Sequence, residues 1–187
     1  MDILFIRHGK AKGNLEKRYI GVTDEPLSAD GIYEVAKNDY PSADIVVTSG
    51  MKRCIETAGI IYPNTEIFID SRLNECDFGD FEGKNHYELN GSANYQNWID
   101  SNGEMPFPNG ESLQHFKKRC VAAFDDTIRR FSDKNSMAFI VHGGTIMAIL
   151  EAYCDNGKKY FDFMCDNANG YTCTWEEKKC ANIHSLL

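Results

Sequence analysis

Residues 3–9 have the sequence Ile3-Leu4-Phe5-Ile6-Arg7-His8-Gly9. Four consecutive apolar residues that end before a glycine indicate a short strand buried on both faces, although periodicity alone does not separate it from a buried helical turn. The polar pair Arg7-His8 stands where this strand ends. Because ligands bind beyond the carboxyl ends of the strands in open α/β sheets, we expect both side chains to face a crevice.

The Arg7-His8 pair has the chemistry needed for attack on phosphorus. Imidazole is a nucleophile near neutral pH, and a guanidinium can hold a phosphate through two parallel hydrogen bonds. A match of three residues is equally compatible with a histidine that merely ends a strand and an arginine in solvent. Evidence from the rest of the chain is needed to decide between the two interpretations.

Composition restricts the class of protein. A length of 187 residues with 42% hydrophobic content fits one domain with one core, so we expect a single domain over 1–187. No apolar run reaches the length of a membrane span, and Met1-Asp2 leads directly into the first strand, which indicates a cytoplasmic protein. Seven cysteines without a Cys-x-x-Cys pair or zinc spacing argue against disulfides and a metal site.

The formal net charge of -8 bears on the expected partners. Nucleic acid and anionic membranes call for a basic face, so neither is expected. A small anionic substrate is compatible with this charge, because it responds to the local field of its pocket. Whether the protein is a monomer or a homodimer is left open by the sequence.

Apolar and amphipathic segments alternate along the chain, which predicts an α/β fold. A helix that ends near residue 36 has Ser28 as a suitable N-cap. The other predicted helices cover 51–62, 111–131, 145–153 and 158–164, and the other strands cover 44–49, 66–70 at the sheet edge, 137–141, and a hairpin of 171–175 and 181–186. The Lys117-Lys118-Arg119 run is most simply the solvated face of the long helix.

Two further segments repeat the design of the first strand. The strand at 137–141 ends in His142 and two glycines, and the amides of the following helix can bind an anion. Arg53 lies in the first turn of the helix after the second strand, where a cation is disfavoured unless an anion is present. We therefore expect Arg7, His8, Arg53 and His142 to surround one crevice that suits a phosphate dianion.

The segment 76–110 is predicted to be an insertion that lies over the site as a lid. Its aromatic residues are scattered among Asn, Ser, Gly and Pro, and we expect a helical piece at 87–100 followed by a loop. Asn14, near the first turn, either donates an amide hydrogen bond to a bound oxyanion or forms a turn beside Gly13. Cys54 and Cys76 adjoin these segments and are expected to be buried, inert thiols.

The chain resembles the phosphoglycerate-mutase-like branch of the histidine phosphatase superfamily nearly from end to end. The blocks that carry the resemblance are Arg7-His8-Gly9 with Asn14, Arg18-Tyr19-Ile20-Gly21, Asp24-Glu25-Pro26-Leu27 with Gly31, Ser49 to Arg53 with Thr57-Ala58, Leu73-Asn74-Glu75 with Gly79 and Glu82-Gly83, Gly110-Glu111-Ser112, and Val141-His142-Gly143-Gly144. The resemblance implies a three-layer α/β/α sandwich whose central sheet is mostly parallel with an antiparallel edge strand.

The resemblance also implies catalytic roles. His8 would be the nucleophile that forms a phosphohistidine, and two neighbouring guanidiniums favour its neutral form. Arg7, Arg53, His142 and the amide of Gly143 would stabilise the equatorial oxygens of the transition state. No metal or cofactor is implied, since arginines and histidines supply the positive charge.

Glu75 matches the acid position of the family, and would protonate the leaving alkoxide and later deprotonate water. Asp77, Asp80 and Glu82 lie nearby and remain alternatives for this role.

Residues that would contact substrate are Asn14, Ile20, Gly21 and Gly143. The chain departs from the family pattern at two positions, with Ala11 where Thr or Ser is usual and Ile20 where a polar residue is frequent. The first departure removes a hydroxyl behind the site, and the second makes the pocket mouth more apolar.

Hydrolysis is predicted over phosphoryl transfer between substrate positions. A mutase has to hold a phosphorylated acid, and between Glu75 and Glu111 this chain has only Lys84 as a cation. The pattern is closest to the α-ribazole phosphatases of cobalamin assembly, whose nucleoside-like leaving group suits aromatic residues. A phosphatase of broad specificity, a phosphoglycerate mutase, and a catalytically idle phosphoester-binding regulator are the alternatives.

Overall fold

The computed structural model describes residues 1–155 and 157–187, and at its centre is a six-stranded sheet. The strands are β1 (Asp2–Arg7), β2 (Ile45–Thr48), β3 (Ile67–Ile69), β4 (Ser136–Val141), β5 (Gly170–Glu176) and β6 (Lys179–Ser185), in the order β3-β2-β4-β1-β5-β6. The first four are parallel to one another, β5 pairs antiparallel with β1, and β6 pairs antiparallel with β5. The predicted mostly parallel sheet is confirmed, and its antiparallel edge is two strands wide.

Strands β1 and β4 lie side by side in the middle of the sheet because both are continuous apolar runs that are buried on both faces. In their parallel register Ile6 pairs with Ile140 and Arg7 with Val141. The residues that follow, His8 and His142, therefore leave the sheet at the same level and at the same edge.

Seven α-helices are present in the described part of the chain. They are α1 (Lys12–Leu15), α2 (Ala29–Lys37), α3 (Lys52–Ile61), α4 (His86–Leu89), α5 (Ala93–Asp100), α6 (Leu113–Arg130) and α7 (Gly143–Tyr153). Serine caps begin α2 and α6, since Ser28 Oγ accepts from the N–H of Gly31 and Ser112 Oγ from that of His115. Short 3-10 turns cover Ser71–Leu73, Gly79–Phe81 and Tyr160–Phe163.

The helices form one layer on each face of the sheet. Along β1, Ile3 and Phe5 point into the larger hydrophobic core, which α6 and α7 cover. Leu4 and Ile6 point into the smaller core under α3, against which α2 packs. This alternation follows from the two-residue period of a strand. It confirms the expected three-layer α/β/α sandwich.

The structure differs from the sequence-based expectations in three places. The helix expected at 87–100 is interrupted between α4 and α5, where Gly91 has a φ of +85° that a continuous helix cannot accommodate. The helix expected at 158–164 is the 3-10 turn Tyr160–Phe163, and the segment after β1, for which no helix is predicted, contains α1. The predicted hairpin of β5 and β6 is confirmed, with Glu177 and Lys178 both at positive φ, as in a type I′ turn.

Among the residues that the structure describes, no helix has the length and apolarity needed to cross a bilayer. The role of 76–110 as a lid stays a prediction.

Candidate active site

His8 lies just beyond β1, and its side chain is almost completely buried. Its Nδ1 is 2.7 Å from the carbonyl oxygen of Gly9. Because a carbonyl can only accept, Nδ1 carries the proton and Nε2 keeps a lone pair. The backbone N–H of His8 donates to Val141 O at 2.9 Å, and its carbonyl accepts from Asn167 Nδ2 at 2.9 Å. These bonds fix the residue with Nε2 as the nitrogen able to attack.

His142 follows β4 as His8 follows β1, and the two rings are in edge contact with their centroids 5.1 Å apart. Nε2 of His142 is 2.8 Å from the hydroxyl of Ser49, which follows β2. Three neighbouring parallel strands therefore each contribute a side chain at their carboxyl ends, as expected for an α/β sheet.

Arg53 is fully buried in the first turn of α3. Its Nη1 donates to Thr23 O at 2.8 Å, and its Nη2 donates to Gly21 O at 3.0 Å and to Ile20 O at 3.4 Å. Its Nε is also buried but has no hydrogen-bond partner among the residues described. The carbonyls of the loop at 20–23 thus bind the Nη1 and Nη2 edge of the guanidinium, and the Nε–H remains able to donate to a ligand.

Arg7 shows the same pattern at the end of β1. Its Nη1 donates to Cys165 O at 2.7 Å, while its buried Nε has no partner within 1–155 and 157–187. A Cβ built on Gly143 would lie 3.4 Å from Cζ of Arg7, so the guanidinium lies against the first residue of α7. Buried donors are nearly always paired. Two arginines with unpaired donors therefore indicate an anion site.

Glu75 joins this group through the start of α7. Its Oε2 accepts from the N–H of Gly144 at 3.2 Å and its Oε1 accepts from its neighbour Cys76 at 2.9 Å. A Cβ on Gly144 would lie only 2.3 Å from Oε1, so a larger residue at this position would displace the carboxylate from where it lies.

The three alternative acids have structural partners elsewhere. Asp77 accepts from the N–H of Gly79, and Asp80 accepts from the side chain of Asn109. Glu82 accepts at 2.9 Å from the N–H groups of residues 21 and 23. None of the three lines the cavity described below, whereas Glu75 does.

A cavity of about 230 Å³ opens beside these groups. One side is formed by Arg7, Glu75 and the first two residues of α7. The other side is mainly aromatic and consists of Tyr19, Phe78, Trp98, Phe107, Tyr160 and Phe161. Tyr19, the insertion and the 3-10 turn at 160–163 thus supply an apolar wall directly next to the anion site.

A larger open depression of about 540 Å³ lies at the opposite end of the sheet, beside Asp2, Ser136 and His184. Its lining includes no arginine or lysine, so it does not offer an anion site. The smaller cavity is the one that combines charge, carboxylate and apolar wall.

The structure places the remaining predicted substrate-binding residues around this site. The amide of Gly143 begins α7 next to Arg7, at the positive end of the helix. The carbonyls of Ile20 and Gly21 face Arg53, and the Ile20 side chain is buried. Oδ1 of Asn14 accepts from the N–H of Ala11 at 2.9 Å. Direct contact of these residues with substrate stays a prediction.

The environment of the two histidines keeps them neutral. Burial, followed by the charges of Arg53 and Arg7, lowers the pKa of His8 well below its ordinary value of 6.5. Burial and Arg53 likewise lower the pKa of His142, with smaller effects from His8 and Arg7. Neutral His8 is the form that can act as a nucleophile. The thiol of Cys54 beside His142 has its pKa raised to about 12 by burial, as expected for an inert cysteine.

The lowered pKa values predict a pH-dependent stability. Below pH 6.5 the unfolded chain binds protons that folded His8 and His142 do not, so the free energy of unfolding falls as pH falls. The slope contributed by each histidine approaches about 1.4 kcal/mol per pH unit only where the pH is well below the ordinary pKa of 6.5. Urea unfolding at about pH 7.5 and about pH 5.5 measures this loss.

The double variant His8→Asn/His142→Asn is expected to lose clearly less stability over the same pH interval. His184→Asn, at an exposed histidine, serves as the control and should behave as wild type. An equal loss in the wild type and the double variant would contradict the assignment.

The sequence did not reveal the supporting roles of Thr57 and Glu82. Thr57 Oγ1 accepts from the N–H of Gly9 at 3.0 Å and donates to Arg53 O at 2.7 Å, which ties the loop after His8 to α3. Thr57 lies four residues after Arg53, and this spacing on one helix face was a usable signal. Glu82 accepts hydrogen bonds from the N–H groups of residues 21 and 23 and so fixes this loop. The carbonyls of the same two residues bind the Arg53 guanidinium.

The expectation that Lys117-Lys118-Arg119 is solvated is wrong for two of the three residues. Lys117 pairs with Glu151 at 2.6 Å and lies over the ring of Tyr160, 4.4 Å from its centroid. The Arg119 side chain is only 20% exposed. Successive helix residues point about 100° apart, so three in a row cannot share one face.

Comparison with known proteins agrees with this geometry. The family model for the histidine phosphatase superfamily (branch 1) matches residues 3–185. An adenosylcobalamin/alpha-ribazole phosphatase of Escherichia coli is 29% identical over 159 residues, which cover 80% of this chain and 77% of the relative. A 2,3-bisphosphoglycerate-dependent phosphoglycerate mutase of Cytophaga hutchinsonii is 29% identical over 161 residues, 79% of this chain and 75% of the relative.

The fold comparison extends over the whole chain. The crystal structure of the alpha-ribazole phosphatase from Shigella flexneri superposes with a TM-score of 0.82 at 26% identity, and the match covers 100% of this chain and 96% of that one. The similarity includes both phosphatases and mutases. The chain belongs to the histidine phosphatase superfamily (branch 1).

Proposed function

We propose that the protein hydrolyses phosphomonoesters through a phosphohistidine on His8. The observation that carries the proposal is the pair of buried, touching imidazoles beside two arginines, Arg7 and Arg53, whose Nε–H groups have no partner among the described residues. A phosphoryl group presents several negatively charged oxygens, and these donors match them. The amide of Gly143 adds a further donor at a helix N-terminus.

In the first step the lone pair on His8 Nε2 attacks phosphorus, and the bond from phosphorus to the ester oxygen breaks. The protonated carboxyl of Glu75 gives its proton to the departing oxygen, so that an alcohol leaves. Charge on the equatorial oxygens is stabilised by Arg7, Arg53 and His142, which are already held in place.

In the second step Glu75 takes a proton from water as the water oxygen attacks the phosphohistidine. The bond between phosphorus and Nε2 breaks, inorganic phosphate leaves, and both His8 and Glu75 return to their starting states. The sum is one phosphomonoester and one water converted to one alcohol and one phosphate. We propose that no metal ion is required, because fixed arginines supply the positive charge.

The cavity favours a leaving group that is uncharged and carries a ring. Its aromatic wall offers stacking surfaces, and Arg7 is the only cationic residue among those that line it in the described chain. Lys84 donates to the carbonyl of Asp80 at 2.7 Å and does not line the cavity. A phosphorylated carboxylic acid would therefore bury its carboxylate without a partner, which is unfavourable. These features support hydrolysis over a mutase reaction.

The physiological substrate that we propose is a small phosphorylated metabolite with such a leaving group, and α-ribazole 5′-phosphate has this chemistry. The relatives with this activity in their names are consistent with the choice. A broad-specificity phosphatase is the second candidate, since an apolar wall discriminates weakly among rings. We expect the reaction to take place in the cytoplasm.

The proposal is tested by incubating the purified protein with p-nitrophenyl phosphate, α-ribazole 5′-phosphate and 3-phosphoglycerate, and by measuring phosphate release. The ring-bearing esters are expected to exceed 3-phosphoglycerate in kcat/KM by at least about 100-fold, because the acid has to bury an unpaired charge. Formation of 2-phosphoglycerate in the presence of 2,3-bisphosphoglycerate would indicate a mutase instead. Absence of turnover with every ester, despite binding of vanadate, would favour a phosphoester-binding regulator.

A further inference from the structure

Arg119 is an arginine in the middle of α6 whose guanidinium makes five hydrogen bonds to oxygen atoms. Nη1 donates to the carbonyls of Arg72 and Asn74, both at 2.7 Å, and Nη2 donates to that of Glu75 at 2.9 Å. The carboxylate of Glu111 accepts from Nε at 2.9 Å and from Nη2 at 2.8 Å. We call this pair of side chains, Arg119 and Glu111, the Arg119 clamp.

The Arg119 clamp holds a segment of backbone that lies outside the strands and α-helices, where Thr145 Oγ1 also donates to Leu73 O at 3.1 Å. The 3-10 turn Ser71–Leu73 ends two residues before Glu75, and Asn74 and Glu75 belong to no strand or helix of the described chain. Three carbonyls within four residues instead converge on one guanidinium. Because the donors of a planar guanidinium point in fixed directions, these bonds fix the orientation of the three carbonyls as well as their distance from Arg119.

The clamp is itself held in place. Glu111 is only 10% exposed at its side chain, and its backbone N–H donates to Asp77 O at 2.9 Å, on the far side of Glu75. The backbone is therefore fastened both before and after the carboxylate. The charge of Arg119 is compensated by Glu111, so the carbonyls are bound without an unpaired buried cation.

We propose that Arg119 is a positioning residue for the proton-transfer steps: it holds the backbone of Glu75 so that the carboxyl meets the ester oxygen and the attacking water. The inference rests on the proposed function, in which Glu75 is the acid and the base. The Arg119 clamp lies behind the carboxylate and touches no reacting atom. Its removal should leave the phosphate-binding groups intact and misplace Glu75.

A misplaced acid has a recognisable kinetic effect. An aryl ester such as p-nitrophenyl phosphate has a weakly basic leaving group that departs without a proton. An alkyl ester such as β-glycerophosphate needs the proton. Loss of positioning should therefore slow phosphorylation of the enzyme by the alkyl ester far more than by the aryl ester. A general loss of folded protein would slow both equally.

The experiment compares Arg119→Gln with Lys118→Gln, an exposed lysine one residue away that undergoes the same change in charge. For Arg119→Gln we expect kcat/KM to fall about 100-fold with β-glycerophosphate and by less than about 5-fold with p-nitrophenyl phosphate. Lys118→Gln should match wild type with both esters. Arg119→Lys, which keeps the charge but loses the fork, should lie between wild type and Arg119→Gln.

The second readout is the phosphoenzyme. Because water activation also uses Glu75, Arg119→Gln should show a burst of p-nitrophenolate equal to the enzyme concentration, followed by slow turnover. Acid-labile phosphate should accumulate on His8. If Arg119→Gln does not fold, as judged by its thermal melt, Glu111→Gln tests the same clamp. This variant keeps Arg119 but removes the negative charge that pairs with its guanidinium.

Equal losses with both esters and no burst, in a folded variant, would overturn the inference. Glu75→Gln separates this failure from failure of the proposed function. If Glu75→Gln shows the alkyl-selective loss and the burst while Arg119→Gln and Glu111→Gln do not, only the positioning role is wrong. If wild type forms no phosphohistidine and Glu75→Gln shows neither effect, the proposed mechanism itself fails.

Discussion

Replacing His8 by asparagine is expected to lower kcat/KM by about 10⁵-fold or more, the scale observed when a nucleophile is lost from an otherwise intact site. The side-chain amide of asparagine can still donate to Gly9 O, as Nδ1 of His8 does at 2.7 Å. No atom in the variant replaces Nε2. The phosphoryl group then has no acceptor, while the arginines that bind it remain. Steady-state kinetics with p-nitrophenyl phosphate measures the loss.

Acid-labile phosphate should be trapped on wild type and be absent from His8→Asn. The matched control is His184→Asn on β6, which removes an exposed histidine far from the site and should retain full activity. Vanadate should still bind His8→Asn, because Arg7, Arg53 and Gly143 are unchanged. Substantial turnover by a folded His8→Asn protein would contradict the nucleophile assignment.

Replacing Arg53 by glutamine is expected to lower kcat by about 10²–10³-fold, as for the loss of one preorganised donor to a developing negative charge. The variant loses the buried Nε–H and leaves the carbonyls of Thr23 and Gly21 without their donor. Part of the loss therefore reflects a looser loop at 20–23. Lys52→Gln, one residue away and 60% exposed, is the control and should stay near wild-type activity.

Arg53→Gln should also change the pH dependence. Arg53 lowers the pKa of both His8 and His142, second only to burial. Without this charge both histidines accept a proton more readily, so their pKa values rise. The acid limb of kcat/KM, which reports loss of neutral His8 in the free enzyme, should move to higher pH. An unchanged limb would mean that Arg53 does not act on the nucleophile electrostatically.

The parts of the fold that followed from the sequence are those with strong local patterns. β1 and β4 were recognisable because buried parallel strands are continuous apolar runs, and both end before glycine-containing turns. The break between α4 and α5 was not predictable from periodicity, because apolar residues in 85–110 follow neither a helical nor a strand period.

The residues of the candidate site were likewise predictable from the sequence only where they lie next to a regular strand or helix. His8, His142 and Arg53 were identifiable because each stands directly after a strand or in the first turn of the next helix. The partners that hold Arg53 come from the irregular loop at 20–23, whose path depends on contacts with Glu82 that lie about sixty residues away in sequence. Arg119 was misinterpreted because its neighbours in sequence are basic, although helix geometry points it towards Glu75.

The parallel register of β1 and β4 has a consequence for how this chain can vary in length. Side chains alternate between faces along a strand, so slipping β1 by one residue would exchange Phe5 and Ile6 between the two cores and shift His8 by about 3.3 Å. Insertions and deletions should therefore be confined to the connecting loops. The hydrogen bonds between β1 and β4 therefore also fix the spacing of the two imidazoles.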